Sequence, residues 1–248
     1  VPVTLAHPAA ILPLRRIGLP VSAMVAGAMV PDIPLFVWWI AGYDATHSLV
    51  GILLIDPVVV TGVLLGWFLL VRDAAVDLAP GPVRARLAER ARLTTRQWLL
   101  VPVGGAVGAA THLAWDSFTH PGRWGPDHIE WLRAEHAGLE GLRWAQYVSG
   151  VVGMAIVVWA VVAHLRSLPP LAEPRRARAL PAPTLPAVVL ASLGIGVVST
   201  VRSVPEGFHV MAFNGVVDSL TAVVLLGAAT CAVWQAVRLR QPRVPAQR

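Results

Sequence analysis

His112, Asp116 and His120 sit four residues apart in a stretch that is otherwise apolar, Val101–His120. Side chains at i, i+4 and i+8 lie on one helix face, so two imidazoles and a carboxylate point the same way. Neutral imidazole and carboxylate are the common donors to zinc and similar divalent ions, and a carboxylate can bridge two of them. Ionisable groups are costly in hydrocarbon and persist there where they bind something or face a polar cavity. A lone His or Asp at a span end reads as a satisfied interfacial group. His112 and Asp116 together, deep in an apolar run, read as a site.

Other polar residues join them. Leu5–Ala10 places His7 at the start of an apolar stretch, Val30–Pro34 holds Asp32 between two prolines, and Thr46–Ser48 brings His47 to the mouth of a span. Pro31 and Pro34 must break or kink any helix there. Asp56 and Asp218 also lie within apolar runs, as acceptors for an imidazole N–H or partners for an arginine. Beyond residue 120, His136 and Glu140 repeat the four-residue spacing. Trp124, Trp131 and Trp144 around them read as an interfacial belt, with Arg123 and Arg133 as its anchors.

The elements that position these groups are membrane spans. The chain has 248 residues, of which 56% are hydrophobic and 14% charged, with a mean hydropathy of +0.64. A soluble domain carries about 25% charged residues, so the composition is that of a polytopic membrane protein. The expected fold is an all-α transmembrane helical bundle. Its runs lie at about 20–42, 50–71, 97–119, 145–165, 185–201 and 210–238, six spans with the first one broken. Pro80–Pro82 opens a connector, and Val83–Arg96 reads as a basic surface helix. Residues 166–186 read as a flexible Pro/Arg-rich cytoplasmic linker, which separates a membrane bundle over 1–165 from a pair of spans and a basic tail over 187–248. Val1 reads as a translated alternative start codon, and no signal-peptide pattern is evident. The single cysteine, Cys231, excludes an intramolecular disulfide and a cysteine-based zinc site.

All 20 basic residues are arginine. They gather at 15–16, 72–96, 166–178 and in the tail, and only Arg123, Arg133, Arg143 and Arg202 fall in the alternate loops. The positive-inside rule then makes both termini cytoplasmic and turns the loops at 43–49, 120–144 and 202–209 outward. Arginine at span ends explains the basic balance, and no nucleic-acid partner is expected. With a rise of about 1.5 Å per residue, Asp32 and His112 fall within about 12–15 Å of the outer ends of their spans. His7 precedes Arg15 and Arg16 on the cytoplasmic side. It reaches the same cavity only if 5–17 and 20–42 form a broken or re-entrant arrangement.

The strings Leu-Ala-His-Pro-Ala-Ala, Val-Pro-Asp-Ile-Pro, Thr-His-Ser-Leu and Thr-His-Leu-Ala-Trp-Asp-Ser-Phe-Thr-His-Pro-Gly carry a resemblance. The chain resembles the bacterial integral-membrane family called domain of unknown function 4184, over most of its first 150 residues. That resemblance implies a multi-pass protein of the bacterial inner membrane and supplies no reaction. More distantly, the order of an early His, Asp-x14-His and His-x3-Asp is similar to the metal sites of zinc-dependent phospholipases C and single-strand nucleases, and to inner-membrane metal-dependent hydrolases. This likeness implies metal ligands among His7, Asp32, His47, His112, Asp116 and His120, with Asp116 bridging two metals. The N-terminal Trp ligand of those soluble enzymes is absent, and only His136 and Glu140 resemble their final pair, so one or two metals are expected rather than three.

The leading expectation is a membrane-embedded, divalent-metal-dependent hydrolase, with zinc as the metal and Asp32 or Asp116 accepting a proton from water. Its partners would be the bilayer and a lipid or other membrane-associated ester or phosphoester. A proton- or metal-coupled transporter is the second expectation. A scaffold whose polar residues only lock helices together is the third; such pairs contribute about 0.6 kcal/mol each, little reason for so many.

Overall fold

A computed structural model describes residues 4–36, 42–88, 90–171 and 177–241. Helix dominates these residues, and the regular strands described are only Glu135–His136 and Leu139–Glu140, an antiparallel pair. Five helices are long and apolar enough to cross a membrane: Gly51–Leu78, Thr95–Thr119, Gly141–Ser167, Thr184–Arg202 and Phe208–Arg240. The protein is an all-α polytopic membrane protein. The run expected at 20–42 is not a continuous helix. It holds a short α-helix, Val21–Gly27, and a 3-10 turn, Val30–Leu35, that contains Pro31 and Pro34. Each proline removes a backbone donor and obstructs the preceding turn, which is why the helix stops there. The rest of that run, 37–41, lies outside the described residues.

The chain divides into two compact units, Val1–Leu64 with Leu93–His164, and Leu65–Arg92 with Leu165–Arg248. In the first unit the Thr95–Thr119 helix is the central element. Thr94 caps it reciprocally: the Thr94 hydroxyl accepts from Gln97 N at 3.2 Å, and Thr94 N donates to Gln97 Oε1 at 2.9 Å. Its end is set by His120, which is extended (φ −121°, ψ 143°) ahead of Pro121. Gly104 and Gly108 let it press against Val21–Gly27, and Gly105 makes room for Val60. A Cβ on Gly108 would run into the Met24 carbonyl and Ala28 N, and one on Gly27 into the Gly105 carbonyl. Backbones come this close only where both helices lack side-chain bulk. The N-terminal 3-10 segment Thr4–Leu14 packs on the same two helices, with Ile11, Met24 and Ala28 forming an apolar cluster. Gly51 does a similar job at the next junction, where an added Cβ would strike the carbonyls of Ala45 and Thr46.

The second unit pairs Thr184–Arg202 with Phe208–Arg240 through Gly196 and Gly215, across from Ser219 and Thr200. Asp77 anchors its polar end. It accepts from Arg84 Nη2 at 2.9 Å, Trp234 Nε1 at 2.8 Å, Arg238 Nη2 at 3.0 Å and Ala179 N at 3.0 Å. Arg178 adds hydrogen bonds to the Asp77 and Ala79 carbonyls. Residues 172–176 of the expected linker lie outside the described residues, whereas 178–180 are held by Asp77 and by packing on Leu78 and Trp234. The expected surface helix at 83–96 is mostly not one. A single turn, Gly81–Arg84, follows Pro80, and the described residues from 88 to 94 carry no helix. Arg84 and Arg92 instead reach Asp77 and Asp73. Cys231 is free and buried.

Gly108→Ala should destabilise the protein by about 1–3 kcal/mol, the cost of overpacking a closed contact. Gly62→Ala, whose Cβ would meet open space, should not. Thermal melts of the detergent-solubilised protein decide this, and an unchanged melting temperature for Gly108→Ala would contradict the packing.

Candidate metal centre

The glycine contact sets His112 in place. One turn beyond Gly108, the imidazole is fully buried and its Nδ1 donates to the Ala28 carbonyl at 2.9 Å. Asp116 follows one turn later on the same face and is also buried. Asp32 enters from the proline-broken turn, where Thr4 Oγ1 donates to its Oδ2 at 2.5 Å. His47 follows the short helix Tyr43–Thr46. Thr46 Oγ1 donates to the Pro31 carbonyl at 2.8 Å, which ties the His47 turn to the Asp32 turn. The Tyr43 ring stacks on His47 at 3.8 Å, and His47 Nδ1 donates to the Tyr43 carbonyl at 2.9 Å.

Those two carbonyl contacts fix the tautomers. A carbonyl only accepts, so Nδ1 must carry the proton in both rings, and each neutral imidazole is left with its lone pair on Nε2. The two Nε2 atoms face each other at 3.3 Å. His112 Nε2 lies 3.5 Å from Asp32 Oδ1 and 3.2 Å from Asp116 Oδ2, and His47 Nε2 lies 3.6 Å from each of the same two oxygens. Four lone-pair donors therefore converge within 4.8 Å of one another, all on buried residues. Neutral rings and carboxylates so placed repel one another unless a cation or proton lies between them. Ligands of a tetrahedral zinc shell, at about 2.0–2.1 Å from the ion, stand about 3.3–3.4 Å apart. The separations here match that shell, and the Asp32–His47–His112–Asp116 group can hold a metal ion.

The structure brings these four of the six expected ligands together, and the other two flank them. His7 stacks on His112 with ring centroids 3.9 Å apart, and its Nε2 is 3.5 Å from Asp116 Oδ1. Burial pushes the His7 imidazole down to about 4, and His112 acts in the same direction, so His7 stays neutral. This position resolves the topological conflict over His7: Thr4–Leu14 folds back into the unit that carries the cluster. His120 sits at the edge, with Nδ1 3.3 Å from Asp116 Oδ1 and its side chain 28% exposed. Gln146 orients it. Arg143 donates to Gln146 Oε1 at 3.2 Å, which turns the Gln146 amide N–H toward His120 Nε2 at 3.3 Å. With Nε2 accepting from Gln146, Nδ1 is the ring nitrogen left to bear hydrogen, and it faces Asp116. Near the His47 turn, burial pushes the Tyr43 phenol up, and the carboxylates of Asp32 and Asp116 add to the shift.

Of the secondary candidates, Asp56 is fully buried and neither of its oxygens has a hydrogen-bond partner among the described residues. Asp218 is exposed on Phe208–Arg240. His136 and Glu140 stand apart from the cluster: His136 stacks on Trp131 at 4.6 Å and bonds its carbonyl, while Glu140 pairs with Glu135 in the hairpin. Trp124, Trp131 and Trp144 are exposed, as an interfacial belt requires. Sequence reasoning missed Thr4, Thr46 and Gln146. Only Gln146 left a signal, an uncharged polar residue at the start of an apolar span.

Fold and cluster together define a membrane-embedded helical protein with a buried His/Asp group able to hold a metal. The chain belongs to the family described as Domain of unknown function (DUF4184), whose family model matches residues 1–237. No curated protein and no solved structure matches it.

Nitrogen NMR of histidine-labelled protein checks the tautomers. Nδ1 of His47 and of His112 should remain protonated with and without added zinc. A deprotonated or metal-ligated Nδ1 at either residue would overturn the ligand geometry.

Proposed function

We propose that Asp32, His47, His112 and Asp116 bind a divalent cation, zinc first among the candidates. On this reading the protein is a membrane-embedded metal-dependent hydrolase of a lipid or other membrane-associated ester or phosphoester. The observation that carries it is the pair of Nε2 lone pairs facing each other beside two carboxylates, with both Nδ1 atoms committed to backbone carbonyls. A mixed nitrogen and oxygen donor set at these separations suits zinc better than magnesium or calcium, which prefer all-oxygen shells. A divalent ion held there supplies Lewis acidity toward a phosphoryl or acyl oxygen and lowers the pKa of water.

The residues divide the remaining work. Asp32 is committed on both sides, Oδ1 to the cluster and Oδ2 to Thr4, so it holds rather than transfers. Asp116 differs. Its Oδ2 faces the cluster while its buried Oδ1 has no aligned hydrogen bond among the described residues, and that oxygen accepts a proton from water. His120, next to it and partly exposed, turns its Nδ1 to the same oxygen at the outer edge of the cluster. His7 supports the same oxygen from the buried side. On the arginine distribution, the site opens to the outer face of a bacterial inner membrane and both termini are cytoplasmic.

A proton- or metal-coupled carrier is the second reading, and Asp56 favours it. This carboxylate is buried in the same unit without a hydrogen-bond partner among the described residues, as a relay position would be.

Purified protein should retain about one zinc per chain, and His112→Ala should weaken its binding about a hundredfold or more, beyond the loss typical of an outer-shell change. Asp116→Asn should abolish hydrolysis across a lipid ester and phosphoester screen while the protein stays folded. Protein free of zinc, manganese and iron, with His112→Ala unchanged in stability and metal content, would end the hydrolase reading. Uptake into proteoliposomes driven by a pH gradient, with no hydrolysis, would put the carrier in its place.

A further inference from the structure

An apolar groove of about 760 Å³ runs between the Thr95–Thr119 and Gly141–Ser167 helices, floored by Ala114 and Ala145 and walled by Phe118, Val148 and Val152. Trp115 belongs to it too. The indole N–H, its only polar group, donates to Ser149 Oγ at 3.1 Å, which leaves an apolar face toward the groove. Trp115 and Thr119 also line a small polar cavity with His7, Asp116, His120 and Gln146. At Ala145 and Val148 the groove continues into a second apolar hollow walled by Trp131 and Trp144. Exposed tryptophans mark headgroup depth. The groove thus starts at the level of the headgroups, borders the Asp116 side of the metal centre and descends into hydrocarbon.

We propose that this groove seats one acyl chain of a membrane lipid and holds its headgroup linkage beside Asp116 and His120. The proposal rests on the hydrolase reading and narrows its substrate to an acyl-chain lipid. From Thr119 down to Thr111 the groove follows about 12 Å of helix, the length of roughly ten methylene groups. It therefore takes the upper part of a chain and leaves the remainder in the bilayer. The order of parts fits the chemistry: apolar wall, then Trp115 and Thr119, then the buried Asp116 Oδ1. A soluble substrate would need none of this apolar wall.

The test is photolabelling in vesicles of phosphatidylglycerol and phosphatidylethanolamine that carry a diazirine in the upper acyl chain, with adducts mapped by mass spectrometry. Adducts should concentrate at 111–119 and 145–152. Ala145→Trp, which fills the groove, should reduce them several-fold, whereas Val158→Trp, on an exposed stretch of the same helix outside the groove, should not. Zinc content should be equal in all three proteins. If Ala145→Trp fails to fold, the smaller Ala114→Leu decides by the same readout. Adducts spread evenly over exposed positions such as Val158, Val161 and Val197 would show ordinary boundary lipid and overturn the proposal. So would adducts undiminished by a folded groove-filling variant, or cross-linked dimers through an Ala145→Cys variant in place of lipid adducts. Groove labelling in wild-type protein that binds no metal would keep the acyl seat and remove only the metal reading.

Discussion

Two backbone carbonyls decide which histidine nitrogens face the buried cluster. Ala28 and Tyr43 each take the Nδ1 proton of a histidine, and so turn the lone pairs of His112 and His47 toward one point. Those hydrogen bonds depend on backbone proximity. Ala28 reaches His112 because Gly108 admits the helix that leads to it, whereas Tyr43 reaches His47 within a single helical turn. Gly108 bears no chemistry itself, but it fixes which nitrogen of His112 faces the cluster.

The two units treat a buried carboxylate in opposite ways. Asp77 is surrounded by donors, Arg84, Arg238, the Trp234 indole and a backbone N–H, so its charge is compensated within the protein and its role is to hold an end of its unit together. Asp32 and Asp116 have no arginine among the partners described for them. They face imidazoles that are also lone-pair donors, with one hydroxyl on Asp32. A buried charge without a compensating partner is costly, and a site that keeps two such charges next to two lone pairs can hold a cation. That contrast separates Asp77 from Asp32 and Asp116 more sharply than burial does, since all three residues are buried.

Much of this was legible along the chain because it depended on local periodicity. Apolar runs of span length gave five of the expected crossings, and the i, i+4 spacing put His112 and Asp116 on one face. Pro31 and Pro34 announced the break that turns Asp32 into the buried cluster. Other features had no local signature. Thr4 is an ordinary residue in sequence, and its bond to Asp32 spans 28 positions. Gln146 acts on His120 from another helix. The 83–96 segment looked like a basic helix because of its arginines. In the fold, however, Arg84 and Arg92 serve Asp77 and Asp73, and the chain is drawn off helix.

The sequence alone determined that the chain is a helical membrane protein and that His112 and Asp116 share a face, because hydrophobicity and helical period act over a few residues. It also named His7, Asp32 and His47 as groups needing a purpose. Only the tertiary structure decided that His7 folds back onto His112, that Asp32 and His47 close on the same point, and that His120 stands at the edge as a proton-bearing neighbour of Asp116. The reason is physical. Convergence of side chains from separate segments depends on how closely backbones pack, and here on glycines whose missing side chains set the distances.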